Sequence, residues 1–511
     1  MSSLAWLTGM HVLNIEVMLA ICALVLLLAD IIMPHGDKKV LGWVAAAELL
    51  LCLVATFVLD LQGSALSEAY FGDPMAVFFK RLFLVSGLVA ILGSMEHIAQ
   101  IAPRRQGEYY MLLLFSITGM CLLAGARNLV LLLVAFEFMS IPLYVMAAYA
   151  KTGPEFETTQ HRNKPKWTEP AEGAFKLFII AAVSAGITVY GLSLVYGATG
   201  STDIKMIREA SSSPLFSLGL VMLLVGFGFK LGAAPFHMWV PDTYQGAPTP
   251  FVSFLSAAPK AAAIAALAQI LLGGALTHSS KWTPLLLVVI VGSLLLGNTL
   301  ALVQSNTKRL LAFSGVAQIG FPLMALVAVT PTGVASGQTE GLAAGLFYLA
   351  AYVVANMGLF LVIEVLETAQ PHRTFAQQDM NVLSTFAGLG KRAPGLAMAA
   401  LLFLLSLAGI PFVVGFWAKL YVFLAVWQAG YGWLVVLGAV LSVVGLFYYL
   451  RIARAIYMDH EPERTKPLST PTTISIAIGF CLAATVITGL YPNPLIEAAR
   501  QAAQAFLLSG G

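Results

Sequence analysis

Charge is what this sequence has least of. Of its 511 residues only 10% are Asp, Glu, Lys or Arg, while 59% are hydrophobic, and the mean hydropathy is +0.86. Soluble domains carry about a quarter charged residues, so a soluble globular enzyme is excluded. Cysteine is almost as scarce. Cys22, Cys52, Cys121 and Cys481 all sit in apolar runs and none forms a CxxC pair, which argues against an iron–sulfur cluster or structural zinc and for small buried hydrophobes. Of eight histidines only His237 has a strong claim to lie inside an apolar run, so a haem held by two histidines is unsupported. The glycines of "GFGFKLG" have the wrong spacing for a dinucleotide fingerprint and follow no strand. The opening run "VLNIEVMLAICALVLLLADIIM" has neither a basic leader nor a small-residue cleavage site, so it is expected to stay as a first membrane span.

What the sequence has in abundance is apolar runs of about 20 residues, the length that crosses a bilayer as helix. They do not alternate as barrel strands would. The expected fold is an all-α integral membrane protein with about fourteen spans, near 12–33, 41–61, 74–97, 109–124, 127–150, 171–197, 214–240, 249–275, 282–304, 308–330, 340–366, 394–428, 431–457 and 472–491. Basic residues set the orientation. With the amino terminus outside, inner loops hold Lys38, Lys39, Arg104, Arg105, Lys151, Arg162, Lys164, Lys166, Lys308, Arg309, Arg373, Lys391, Arg392, Arg451, Arg454, Arg464 and Lys466. Outer segments hold only Arg127, Lys205, Arg208, Lys281 and Arg500. A missed or extra span would scramble that bias.

Ionisable residues inside the hydrocarbon are costly and therefore mark function by default. Glu137, in "LLLVAFEFMSIPLY", lies near the middle of span five and needs a partner or a proton. Lys230 and Lys260 sit on consecutive spans joined by "VPDTYQGAPTP", at equal distances from its centre, which places them at similar depth. A structural ion pair between Glu137 and one lysine is the plain alternative. Lys176 follows Glu172 by one helical turn, so a helix-surface pair competes with a transport role. Lys80 and Arg81 are expected to snorkel to the outer interface, and Glu16 and Glu48 to be hydrogen-bonded helix residues.

Two prolines add a second signal. Pro235 cannot donate a backbone hydrogen bond, so span seven should kink or break just beyond Lys230. "AGIPFVVGFWAKL" repeats the small-x-Pro-Phe core of "GAAPFHMW", with Pro411 near the centre of the long span twelve and Lys419 eight residues later. Matching breaks are the pattern of ion sites at the bilayer midplane, although ordinary proline kinks are common. His237 falls on the face of Lys230 only if the helix continues through the break.

The stretch "GFGFKLGAAPFHMWVPDTYQGAPTP", followed by "FLSAAPKAAAIAAL", resembles the signature region of the N subunit of NADH-quinone oxidoreductase, respiratory complex I, which corresponds to mitochondrial subunit 2. "FEFMSIPLY", "NTKRLLAFSGVAQIG" and "GIPFVVGFWAKLYVF" extend the resemblance along nearly the whole chain. More distantly the chain is similar to sibling antiporter-like subunits, in which the position of Lys419 can be acidic.

The resemblance implies fourteen helices with two inverted five-helix repeats and discontinuous helices 7 and 12. The corresponding division is 1–108 (helices 1–3), 109–275 (first repeat), 276–457 (second repeat) and 458–511 (loop and helix 14). It also implies a proton pathway through Glu137, Lys230, His237, Lys260 and Lys419, with Lys176 less securely matched. No cofactor is implied in this chain; FMN, iron–sulfur clusters and quinone are expected in partner subunits. The implied partners are the lipid bilayer and other complex I membrane subunits, including antiporter-like siblings and the small subunit corresponding to mitochondrial subunit 4L, with no nucleic acid. The implied location is the bacterial inner membrane, with both termini outside. A stand-alone or multisubunit cation/proton antiporter and a non-transporting scaffold are the alternatives.

Overall fold

The computed structural model describes residues 9–33, 38–149, 169–211, 213–335, 337–368, 382–459, 468 and 470–508. Residues 150–168 lie outside them, and so do Lys151, Arg162, Lys164, Lys166, Arg373, Arg464 and Lys466. Three helices open the chain: α1 (Asn14–Ile32), α2 (Lys39–Val58) and α3 (Pro74–Ile101), with a hairpin of β1 (Gly63–Ala65) and β2 (Tyr70–Gly72) between the last two. Next come α4 (Gln106–Gly125), α5 (Leu129–Ala147), α6 (Glu169–Thr199), α7 (Pro214–Leu231), α8 (Trp239–Gly246), α9 (Thr249–Leu255) and α10 (Ala258–Ala268). The next group is α11 (Ser279–Leu302), α12 (Thr307–Gln318), α13 (Gly320–Val327), α14 (Pro331–Ala335), α15 (Glu340–Thr368), α16 (Leu389–Arg392), α17 (Pro394–Ala408) and α18 (Val414–Gln428). Last are α19 (Gly432–Tyr457), α20 (Thr472–Leu490) and α21 (Asn493–Leu508).

Among the described residues, 13 helical segments are long and apolar enough to cross a membrane. They correspond to all the expected spans but the twelfth, which is instead two shorter apolar helices, α17 and α18. Many starts are set by side chains that satisfy the first free amides. The Asp73 carboxylate accepts from the Ala76 amide at 2.7 Å ahead of Pro74, Ser213 does the same for Phe216 at 3.1 Å ahead of Pro214, and Asn306 opens α12 by accepting from Lys308 at 2.9 Å.

The expected span 214–240 leaves helix at Leu231, ahead of its predicted end. Gly232, at φ +64°, ends α7 with a left-handed residue. The Ala233 amide bonds back to Gly228 at 3.0 Å, so the last carbonyls are satisfied before Pro235 prevents continuation. Gly409, at φ +87°, ends α17 in the same way, and Pro411 follows. Neither break needs tertiary strain to explain it, because the Gly-then-Pro order is written in the sequence.

Burial sorts the helices. The segments Thr249–Gly274 and Thr307–Val327 have their apolar windows 100% buried and α15 has 94%, whereas α6 has only 28% and α1 and α19 about a third. The polar groups of α9, α10, α12 and α15 are therefore shielded from lipid by the surrounding helices.

The reading of Lys80 as a snorkelling residue is wrong. It is fully buried, 3.0 Å from Glu16, which also accepts from the Tyr70 hydroxyl at 2.7 Å. The hairpin between α2 and α3 places Tyr70 there, and sequence position alone could not. Arg81 instead donates to the Thr56 carbonyl at 2.9 Å and lies over the Phe57 ring. Glu16 is hydrogen-bonded as expected; the buried Oε2 of Glu48 has no partner among the described residues. Lys80→Met is expected to destabilise the chain by about 3–5 kcal/mol, because it strands a buried carboxylate. Thermal unfolding of the detergent-purified protein tests this, and adding Glu16→Gln should recover most of the loss.

Candidate functional site

Lys230 is the penultimate residue of α7, held at the break by Gly232. Its ammonium donates to the Ser140 hydroxyl at 2.5 Å and lies 5.2 Å from the ring centres of both Phe136 and Tyr144. All three partners are on α5, at four-residue spacing, so one face of that helix cradles the lysine. Glu137 is on α5 too, close enough for Lys230 to act on its charge. The buried Oε1 of Glu137 has no hydrogen-bond partner among the described residues. Lys230 opens on a cavity of about 20 Å³, room for about one water, lined also by Ser184, Trp239 and Pro259.

Pro259 links that cavity to the next lysine. It is the second residue of α10, and Lys260 follows it, 2% exposed, donating to the Gly315 carbonyl at 3.1 Å and lying 5.9 Å from the Tyr244 ring centre. A side chain on Gly315 would meet the Lys260 ammonium at 3.1 Å and the Tyr352 hydroxyl at 3.3 Å, so glycine here gives the lysine access to the α12 backbone.

From α12 a hydrogen-bonded run leads to Lys419. The Ser314 and Tyr449 hydroxyls are 2.5 Å apart, and the Gln318 amide donates to Tyr449 at 3.0 Å and to the Leu407 carbonyl at 2.7 Å. Tyr348 donates to Gln318. One residue beyond Leu407, the Ala408 carbonyl accepts from Lys419 at 2.9 Å across the second break. Lys419 also lies over the Phe321 ring, which stacks on Tyr348. Sequence reasoning missed Ser314, Gln318, Tyr348, Tyr352 and Tyr449. A usable signal was present in α15, where Tyr348, Tyr352 and Asn356 recur every fourth residue and so share one face.

Among the described residues, the buried and half-buried lysines thus fall into two kinds. Lys38 is 2.8 Å from Asp30, Lys80 is 3.0 Å from Glu16 and Lys308 is 2.9 Å from Glu367. Among the described residues, Lys230, Lys260 and Lys419 have no carboxylate oxygen within 4.0 Å. Their acceptors are hydroxyls and carbonyls, which serve either protonation state better than a fixed anion would. A plain structural ion pair between Glu137 and Lys230 does not describe this geometry.

Lys176 is placed apart. It pairs with Glu172 and with Asp242, each at 2.7 Å, and Asp242 also holds Arg309 at 2.6 Å. This partly exposed network joins α6, α8 and α12. Burial works against the Asp242 carboxylate, but the two cations hold it below the usual range. A lowered value means that the pairing is intact above about pH 4 and is lost only as pH falls through that lowered value. Asp242→Asn is therefore expected to cost about 1 kcal/mol or less, equally at pH 6 and pH 8, in thermal unfolding. His237 lies in the non-helical link between α7 and α8, its ring edge-on to Phe313 at 6.0 Å, with Nδ1 buried and unpartnered among the described residues. It does not share a helical face with Lys230, because the helix stops first. Pro235 and Pro411 lie in the two breaks and are exposed.

A family profile described as "NADH:quinone oxidoreductase/Mrp antiporter, TM" matches residues 126–445. The chain is 36% identical over 506 residues to the NADH-quinone oxidoreductase subunit N of Moorella thermoacetica, covering 98% of this chain and 100% of that one. It is 37% identical to the subunit N of Desulforamulus reducens, covering 96% and 98%. The chain belongs to the family of NADH-quinone oxidoreductase subunit N. Among solved structures, a chain of respiratory complex I from Thermus thermophilus with bound aureothin is 31% identical, with a TM-score of 0.75 over 94% of this chain and 98% of that chain. A chain of the Mrp complex from Dietzia shares the fold at 20% identity and a TM-score of 0.81, over 98% of each. In this subunit N family member, Glu137, Lys230, His237, Lys260 and Lys419 fall within the matched range 126–445.

Proposed function

We propose that this chain translocates protons as a membrane subunit of NADH-quinone oxidoreductase, along Glu137, Lys230, Lys260, the Ser314–Tyr449–Gln318 run and Lys419. The observation that carries this reading is the row of three lysines with hydroxyl and carbonyl acceptors in place of carboxylates, whereas the buried lysines elsewhere among the described residues, Lys38, Lys80 and Lys308, each pair with a carboxylate. Electron transfer from NADH to quinone takes place in partner subunits, which hold the FMN, iron–sulfur clusters and quinone; this chain carries no redox step. A charge arriving near Glu137 alters its attraction for Lys230 and so the proton affinity of that lysine. A hundredfold to thousandfold change in affinity is worth about 3–4 kcal/mol, which matches moving one charge against about 150 mV.

In this reading the face bearing Lys38, Lys39, Arg104 and Arg105 is inner, both termini are outer, and the membrane is the bacterial inner membrane. The segments 109–275 and 276–457 are inverted repeats, each with one Gly-Pro break. Antiporter-like siblings and the small subunit corresponding to mitochondrial subunit 4L flank the chain. His237 joins the pathway by resemblance and by its unpartnered Nδ1. Lys176, tied to two carboxylates, is a poorer relay member than the three central lysines.

Mild-detergent purification of the tagged chain tests the assembly. Recovery of flavin and iron–sulfur subunits with it is the expected result; recovery of a solitary chain that moves protons on a sodium gradient would favour the stand-alone antiporter.

A further inference from the structure

A second cluster of titratable groups lies away from the lysine row, on the basic face, where α3, α9, α12 and α15 meet. His97 Nδ1 is 2.8 Å from Glu364 Oε1. The imidazole is 21% exposed and the carboxylate 1%. Lys308 pairs with Glu367 at 2.9 Å, Thr249 donates to Glu367 at 2.5 Å, and Thr368 donates to Glu364 at 2.9 Å. On the neighbouring elements, Glu96 pairs with Lys39 of α2 at 3.0 Å, and Tyr109 of α4 is near enough to Glu364 to feel its charge.

The pair keeps unused capacity. His97 Nε2 and Glu364 Oε2 are both buried and have no hydrogen-bond partner among the described residues. An unmade bond on a buried polar atom is costly, and an apolar pair would tie α3 to α15 without that cost. Glu364 lies on α15 as well, a little over two turns beyond Asn356 and turned by about 80° from it around the helix. The eight residues from Glu364 to Asn356 span about 12 Å. Beside that gap stands Tyr244, fully buried, with its hydroxyl unpartnered among the described residues. It is edge-on to Phe360 at 5.9 Å on one side and under the Lys260 ammonium on the other.

We infer that His97 and Glu364 form the proton-loading site through which the basic face supplies Lys260. This inference rests on the proton-translocating role proposed above. His97 takes a proton at Nε2, which is buried at rest and is reached from the aqueous phase as the partly exposed ring turns, and releases the one on Nδ1 to Glu364 Oε1. Glu364 passes it toward Lys260 beside Tyr244 and Asn356, and the ring, left neutral with its proton on Nε2, flips or exchanges tautomer before the next uptake. An imidazole suits the mouth because its ordinary titration range brackets the pH it samples.

The test uses the assembled complex in vesicles, with proton pumping and the NADH oxidation rate recorded for His97→Ala, Glu364→Gln and Lys230→Ala. Pumping in His97→Ala is expected to fall about a hundredfold and to be restored by added imidazole, with a pH optimum that moves when 4-methylimidazole replaces it. Glu364→Gln is expected to lose pumping without rescue. Normal pumping in both variants, or a loss in His97→Ala that no imidazole restores, would overturn the loading site. If Lys230→Ala fails while both of these pump normally, only the loading site is lost. If Lys230→Ala also pumps normally, the translocating role itself falls.

Discussion

Lys419→Arg is expected to stop proton pumping almost as completely as Lys419→Ala, a loss of about tenfold or more, although it keeps the positive charge. Lys419 donates to the Ala408 carbonyl at 2.9 Å and to the Ser442 hydroxyl at 3.4 Å, contacts that a guanidinium can also make. Arginine cannot release its proton in a protein. A scaffold lysine would therefore tolerate arginine, whereas a relay lysine would not. Protons moved per NADH oxidised, with assembly verified by co-purification, separates the two.

The second large effect concerns the break that positions Lys419. A Cβ at Gly415 would lie 1.8 Å from the Ser406 carbonyl oxygen and 2.6 Å from its carbon. Those atoms are backbone and cannot swing aside, so Gly415→Ala must push α18 away from α17. The cost expected is about 1–3 kcal/mol. The displacement also draws Lys419, on α18, from Ala408, on α17, so pumping should fall further than thermal stability does. Gly395→Ala, on α17 with nothing within 4 Å of the added atom, is expected to be silent in both assays.

Much of this was legible in the chain because membrane physics is strict. Apolar run length gave the spans, and a proline marked both places where helix gives out, although the glycines that end α7 and α17 went unread. Glu137, Lys230, Lys260 and Lys419 stood out because charge in hydrocarbon demands a reason. The run from Ser314 through Tyr449 to Gln318 was not legible. Its members are neutral, and two helices far apart in sequence, α12 and α19, bring them together. Lys80 was misread for a related reason: its partner Glu16 and the capping hydroxyl of Tyr70 come from separate elements. His97 and Glu364 lie 267 residues apart, and each, near a span end, looks like an ordinary interfacial residue.

The central claim is that Lys230 changes its protonation in every transport cycle. The direct measurement is protons pumped per NADH oxidised by the assembled complex in sealed vesicles carrying Lys230→Ala. A ratio clearly below wild type, with flavin and iron–sulfur subunits still bound, is the predicted result. An unchanged ratio would contradict the account.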